Sequence, residues 1–386
     1  MIYSFLIQSA NHLTKIKSSV KLLFCSILFL INCTLCAAQL PASTYFQQEV
    51  NYQISVRLND VKNELDGFER IVYKNNSATS LSFIYFHIWP NAYRDDNTAL
   101  AKQLLENGET KFYFSKPSER GFINGLSFKV NEENAVFKPD SINAEIGKLY
   151  LKKPLAPGEQ LEITTPFHVK IPSAEFSRLG HLEQSYMISQ WYPKPAVFDA
   201  QGWHPMPYLT QGEFYSEFGN FEVSISLPKN YVVAATGYLQ DSAEINWLSL
   251  KARETLDKEP YVKNDLSFPA SDTASKTLHY KAAQVHDFAW FADKRFHVLE
   301  DEIELPQSKR KIKSYSYFTN AQPSYWKHGP EYIRESILNY SSWLGEYPYD
   351  QVSIVDGTVA AGTGMEYPMI TVIGTSLTSF DFEYTV

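Results

Sequence analysis

Beyond position 36 the sequence has no cysteine: its three, Cys25, Cys33 and Cys36, all fall within the first 38 residues. A chain cut after Ala38 would carry no thiol, which excludes disulfides and cysteine-ligated zinc from its physics. Positive charge is also scarce, 35 Lys and Arg against 43 Asp and Glu leaving a net charge of −8. Phosphate backbones need the opposite sign, so nucleic acid is not an expected partner. No permanent membrane span is expected either, because the apolar run 22–31 has ten residues where a spanning helix needs roughly 20. There is no G-x-S-x-G elbow, P-loop or dinucleotide fingerprint. The nine histidines include no H-E-x-x-H and no pair at i and i+4. By residue chemistry alone the chain carries no catalytic residues and no metal site.

What is present begins with a leader. Residues 1–38 hold three lysines (Lys15, Lys17, Lys21), no acid, the apolar run, and then Leu35-Cys36-Ala37-Ala38. That is the layout of a secretory signal peptide cut after Ala38, and it implies export to the periplasm, the outer surface or the medium. Removing it takes away three positive charges, so the net charge passes from −8 to −11. The rest, with 44% of the whole chain hydrophobic and 20% charged, reads as folded protein long enough for two domains.

From 52 to about 171 the dominant period is two. Tyr52, Ile54, Val56 and Leu58 alternate with polar neighbours as in a half-buried strand, and 81–89 is apolar on both faces as in a fully buried one. Pro157-Gly158 marks a turn before Leu161, and Phe221, Val223, Ile225 and Leu227 alternate again before Pro228. A short helix is predicted over 99–105, and 241–275 reads as a polar insertion. Between 174 and 219 aromatic residues crowd together, among them Trp191, Tyr192, Trp203 and Tyr208. They are either a packed cover or a binding surface. After Asn320 the period changes: Ile333, Ile337, Tyr340 and Leu344, with Pro330 at the start and Gly345 past the end, predict a helix of about 15 residues. This shift places a domain boundary near residue 320, giving 1–38 as signal peptide, 39–319 as a β-rich domain and 320–386 as a second domain that is begun but not completed. The fold class expected is mainly β, a large antiparallel region followed by the start of an α+β domain.

One stretch near the end stands out: Ala360-Ala361-Gly362-Thr363-Gly364-Met365-Glu366-Tyr367-Pro368, which reads as a glycine-rich turn presenting a single carboxylate ahead of an apolar strand at 369–373. Taken alone, a solvated turn acid would explain it. Its order, however, resembles the G-x-M-E-N element of the aminopeptidase N family of zinc metallopeptidases, the gluzincins. The resemblance extends to Ser189-Gln190-Trp191-Tyr192-Pro193-Lys194-Pro195 with Asp199, to Glu213-Phe214-Tyr215 ahead of Gly219-Asn220-Phe221, to His286-Asp287-Phe288, and to the helix 330–344 with its Gly345-Glu346-Tyr347-Pro348-Tyr349 exit.

The resemblance implies a β saddle domain over about 45–318, followed by the opening of a metallopeptidase domain. It also implies a role for Glu366: the carboxylate that pairs with the α-ammonium of a peptide's first residue, with Gly364 and Met365 lining the site. A second polar anchor is implied upstream of the Trp-Tyr-Pro run, where Glu183 and Gln184 are the candidates. Thr363 stands where the family has glycine and Tyr367 where it has asparagine, so a reshaped first-residue pocket is expected. The zinc-binding H-E-x-x-H would follow this motif by some twenty-odd residues and is absent, so the chain reads as truncated before it. Zinc is expected in the full-length protein but not in this chain, which should be inactive by itself. Peptides with a free N-terminus are the expected partners. The alternative is a non-catalytic peptide- or glycan-binding β module, the glycan contacts coming from Trp191, Tyr192 and Trp203.

Overall fold

Strand Glu49–Asn59 sets the frame, because its alternation turns Val50, Tyr52, Ile54, Val56 and Leu58 into the core. It pairs antiparallel with Glu64–Lys74 along its whole length and parallel with Gly219–Pro228 on the other side. Gln160–Lys170 and Ser275–Val285 extend this sheet outward, both antiparallel to their neighbours. The computed structural model describes residues 45–258, 265–357, 364–374 and 378–386, within which Phe46–Val386 form one unit. The signal peptide expected over 1–38 lies outside the described residues. The fold is mainly β with several antiparallel sheets, as the alternation implies.

Three further sheets of four or five strands accompany it. An inner sheet orders Gly180–Leu182, Ser185–Ile188, Trp290–Asp293 and Val232–Ala235. An outer sheet orders Lys194–Pro195, Leu81–His87, Ile146–Leu155 and Val136–Pro139. The C-terminal sheet orders His297–Glu304, Lys311–Phe318, Gln351–Asp356, Ile370–Ile373 and Gly364–Tyr367. Its middle pairings are parallel and its two outer ones antiparallel. The change of period near 320 falls inside this sheet, between its second and third strands in chain order.

Two helical expectations hold. Helix Ala99–Glu106 is capped by Thr98, whose side chain accepts from the amide of Ala101. Helix Gly329–Leu344 has proline in its first turn and stops at Gly345, whose φ of 113° favours glycine. It buries Ile333 and Ile337 on the C-terminal sheet beside Phe318 and Ile354.

Two expectations are corrected. The segment 241–275 is not an irregular insertion, since it holds the helix Ser242–Asp257. Only Leu248, Ala252 and Thr255 of that helix are buried, too few to show as periodicity. Packing fixes it instead: the hydroxyl of Thr255 accepts from the amide of Val298, and the Lys276 ammonium lies 4.5 Å from the Trp247 ring centre. The run 81–89 is not buried on both faces either. Its strand ends at His87, and Phe83 and Tyr85 face outward, half-buried.

Candidate functional site

Glu366 lies on a strand, not on a turn. Gly364–Tyr367 forms the last strand of the C-terminal sheet, hydrogen-bonded on one side only among the described residues, with Glu366 opposite Thr371. The reversal comes afterwards, at Pro368 and Met369, where Met369 has a φ of 67°. Residues 358–363, including Thr363, lie outside the described residues.

The strand's own alternation presents the charge. Met365 and Tyr367 are 7% and 8% exposed while Glu366 between them is open to solvent. Met365 enters a cluster with Met187, Ala289 and Phe291 of the inner sheet region and with Val355 and Val372 of its own sheet. The Tyr367 ring lies 6.1 Å from that of Phe291. Burying two such side chains contributes about 1.5–3 kcal/mol each, enough to fasten a short edge strand. Glu366 makes no hydrogen bond or ion pair among the described residues, so its oxygens remain available to a cation. Among the described residues the strand's outer edge leaves its backbone groups unpaired. Gly364 is needed for space, because a Cβ there would come within 2.7 Å of Cγ2 of Thr385 on the last helix, Ser379–Thr385.

The two candidates for the second anchor sit differently. Glu183 is exposed at a hairpin turn with a φ of 50°. Gln184 is committed: its amide nitrogen donates to the Asp60 carbonyl at 3.2 Å, and Lys294 Nζ donates to its oxygen at 2.5 Å. Closer to Tyr367 is Ser189, at the head of the Ser189–Pro195 run. The Tyr367 hydroxyl faces Ser189, and burial pushes its pKa up. Ser189 opposes that rise as a hydrogen-bonding neighbour, although the two oxygens form no regular hydrogen bond among the described residues. Next to Ser189, Gln190 has a φ of 48°, a left-handed conformation uncommon outside glycine and concentrated at functional sites. Its nitrogen donates to Asp287 Oδ2 at 3.0 Å, while its buried oxygen has no partner among the described residues. The usable signal was position, immediately ahead of Trp191.

Asp287 joins two of the segments that carry the resemblance. It accepts from Lys194 Nζ at 2.8 Å, from the Tyr192 hydroxyl at 2.9 Å and from the Phe288 amide at 2.8 Å, besides Gln190. Trp191 Nε1 donates to the Phe288 carbonyl at 3.0 Å. Burial works to raise the Asp287 carboxyl, but Lys194 and the other donors outweigh it and hold it below its usual range. Burial lowers the Lys194 ammonium, with Asp287 opposing. Trp191 and Tyr192 are fully buried by this arrangement. They are closed to a glycan, so of the three rings proposed for that role only Trp203 reaches the surface.

Among the described residues no three His, Cys, Asp or Glu side chains come together as metal ligands. The histidines are dispersed on separate partners: His168 on Asp66, His204 on Asp199, His279 on Asp241, His297 on Asn320. This donor set does not fit zinc.

With its sheets and edge strand in place, the chain has the fold of the M1 zinc metallopeptidases. Such an enzyme from Deinococcus radiodurans matches with a TM-score of 0.54 at 12% identity, over 88% of this chain and 63% of that one. A variant of it bound to a Tyr-Ser-Ala substrate gives 0.51 at 11% identity, over 86% and 61%. A two-domain M1 variant bound to L-arginine gives 0.52 at 12%, over 89% and 65%. The chain thus spans less than two thirds of these proteins, and at such identities the likeness is one of fold. No protein-family model and no curated protein matches the sequence.

Proposed function

We propose that this chain is the N-terminal part of an exported zinc-dependent aminopeptidase that removes residues from the free N-termini of peptides. Glu366 receives the α-ammonium of the first residue, and the edge of Gly364–Tyr367 pairs with the peptide backbone. Met365 and Gly364 line the site, and Tyr367 with Ser189 and Gln190 bounds it on the inner-sheet side. Residues 1–38 are the export signal. The second domain opens with the C-terminal sheet, so its first strand lies ahead of the composition change at 320. Zinc, as Lewis acid and source of activated water, is held in the whole enzyme by residues outside this sequence. The chain by itself is therefore inactive, and its part is to bind and orient.

The carrying observation is the placement of Glu366: an open, unpaired carboxylate on an edge strand whose neighbours are both locked into the core. In water an ion pair there is worth no more than about 1 kcal/mol. Partly desolvated under a bound peptide, a charge-assisted contact contributes about 1.5–3 kcal/mol. Titration of the purified protein with a short peptide and with its N-acetylated form tests the assignment. The free amine is expected to bind about tenfold more tightly, and Glu366→Gln to abolish that difference. Equal binding of the two forms by the native protein would remove Glu366 from the role. Reading the gene past codon 386 tests the enzyme: H-E-x-x-H within about ten further residues is expected, and a stop codon would favour a binding module.

A further inference from the structure

The outer sheet carries a surface that the peptide site does not use. Lys138, Lys148 and Tyr85 stand directly opposite one another on three successive strands, and Tyr150 and Phe83 pair in the next row. Trp203 extends the rings beyond the sheet, its centre 6.0 Å from Phe83 and 5.9 Å from Tyr85. Tyr150 is 40% exposed, Lys138 is exposed, and the other four are half-buried. The five sheet residues lie on its outward face, and Trp203, from the separate strand Gly202–His204, packs at its side against the core.

Two features of this surface call for a partner. Like charges directly opposite each other on a sheet are destabilising, yet Lys138 and Lys148 face each other with no carboxylate in ion-pair range among the described residues. The acid that acts on Lys148, Asp140, spends Oδ1 on the amides of Ile142 and Asn143. The ammonium groups rest instead over rings, Lys148 at 4.8 Å from both Phe83 and Tyr85 and Lys138 at 5.4 Å from Tyr150. Cation–π contacts of this kind supply only part of what a counter-ion would. On a chain of net charge −8, a basic row with no ion-pair partner among the described residues, eased only by Tyr85 and the more distant Asp140, beside an aromatic one is complementary to a ligand with carboxylates and flat apolar faces in alternation. Strand spacing of roughly 5 Å is comparable with the length of one pyranose ring.

We infer that this face is a binding site for an acidic oligosaccharide of the uronate class, whose carboxylates meet Lys138 and Lys148 while its C–H faces stack on Tyr150, Phe83 and Trp203. The site is separate from Glu366 and would hold the protein at polyanionic glycan without blocking the edge strand.

Calorimetric titration of the purified protein with an oligogalacturonide tests this, with cellohexaose as neutral control and phosphatidylglycerol vesicles as a second polyanion. Binding is expected to weaken with salt, to exceed cellohexaose by about tenfold, to fall about tenfold in the double variant Lys138→Gln/Lys148→Gln, and to fall in Tyr150→Ala. Both variants are expected to keep the native near-UV circular dichroism, and Glu366→Gln to bind like the native protein. Absence of binding at millimolar oligogalacturonide, undiminished binding by the double lysine variant, equal binding of cellohexaose, or tighter binding to the vesicles would each overturn the assignment.

Discussion

Glu217 makes stability fall as pH rises. It is 5% exposed, and one of its oxygens has no hydrogen-bond partner. Burial pushes its carboxyl up to about 7, with the backbone of Phe198 and Gln48 opposing and Asp199 adding repulsion. The unfolded chain titrates near the ordinary value of 4.5. Below that value both states hold the proton, and the contribution to stability is complete. Between 4.5 and 7 the unfolded chain gives up its proton while the folded one keeps it. Each unit of difference is worth about 1.4 kcal/mol, so stability above pH 7 is lower by about 3 kcal/mol on account of this group. The perturbation is Glu217→Gln, which keeps the shape and removes the titration. Urea unfolding of both proteins from pH 4 to 8.5 gives two curves, and their difference cancels the carboxyls that titrate alike in each. That difference is expected to grow in favour of the variant across this window. Parallel curves would refute the reasoning.

Three other substitutions probe the packing around the site. Asp287→Asn leaves the buried Lys194 ammonium without its counter-charge and is expected to cost about 3–5 kcal/mol in urea unfolding, with an added Lys194→Met recovering much of the loss. Tyr367→Phe removes a buried hydroxyl whose polar neighbour is Ser189 and is expected to change stability by less than about 1 kcal/mol; a loss of about 2 kcal/mol in thermal unfolding would mean that the hydroxyl is fully bonded. Gly364→Val drives a side chain into Thr385, so faster hydrogen exchange in the helix Ser379–Thr385 is expected, with the frame strands unchanged.

Legibility followed the physical origin of each feature. Strands such as Glu49–Asn59 were readable because one face is wet and the other dry, and helix Gly329–Leu344 because its stops are proline and glycine. Helix Ser242–Asp257 was not, since three buried residues leave little pattern and its stability comes from the strand beneath it. The outward aromatics at Phe83 and Tyr85 look like core in a sequence, because hydrophobicity does not tell which partner a ring has. Glu366 was found by its neighbours' order, but its strand conformation was not, as Gly-Met-Glu-Tyr reads equally as a turn. Gln190 was hidden for a different reason: a left-handed backbone is set by the surrounding fold, not by glutamine's own preference. Contacts such as Lys194 with Asp287 join residues far apart in sequence, and local patterns carry no record of them.

The clamp on Met365 and Tyr367 has a consequence for how such a site can change over generations. The carboxylate is a passenger: its position is dictated by side chains such as Met187 and Phe291, which are buried behind the strand. A change of one methylene there acts as a shim, tilting the charge by a fraction of an ångström while every residue at the surface stays the same. Under the role proposed for Glu366, preference for one first residue over another drifts through silent repacking of the interior, with Glu366 itself untouched.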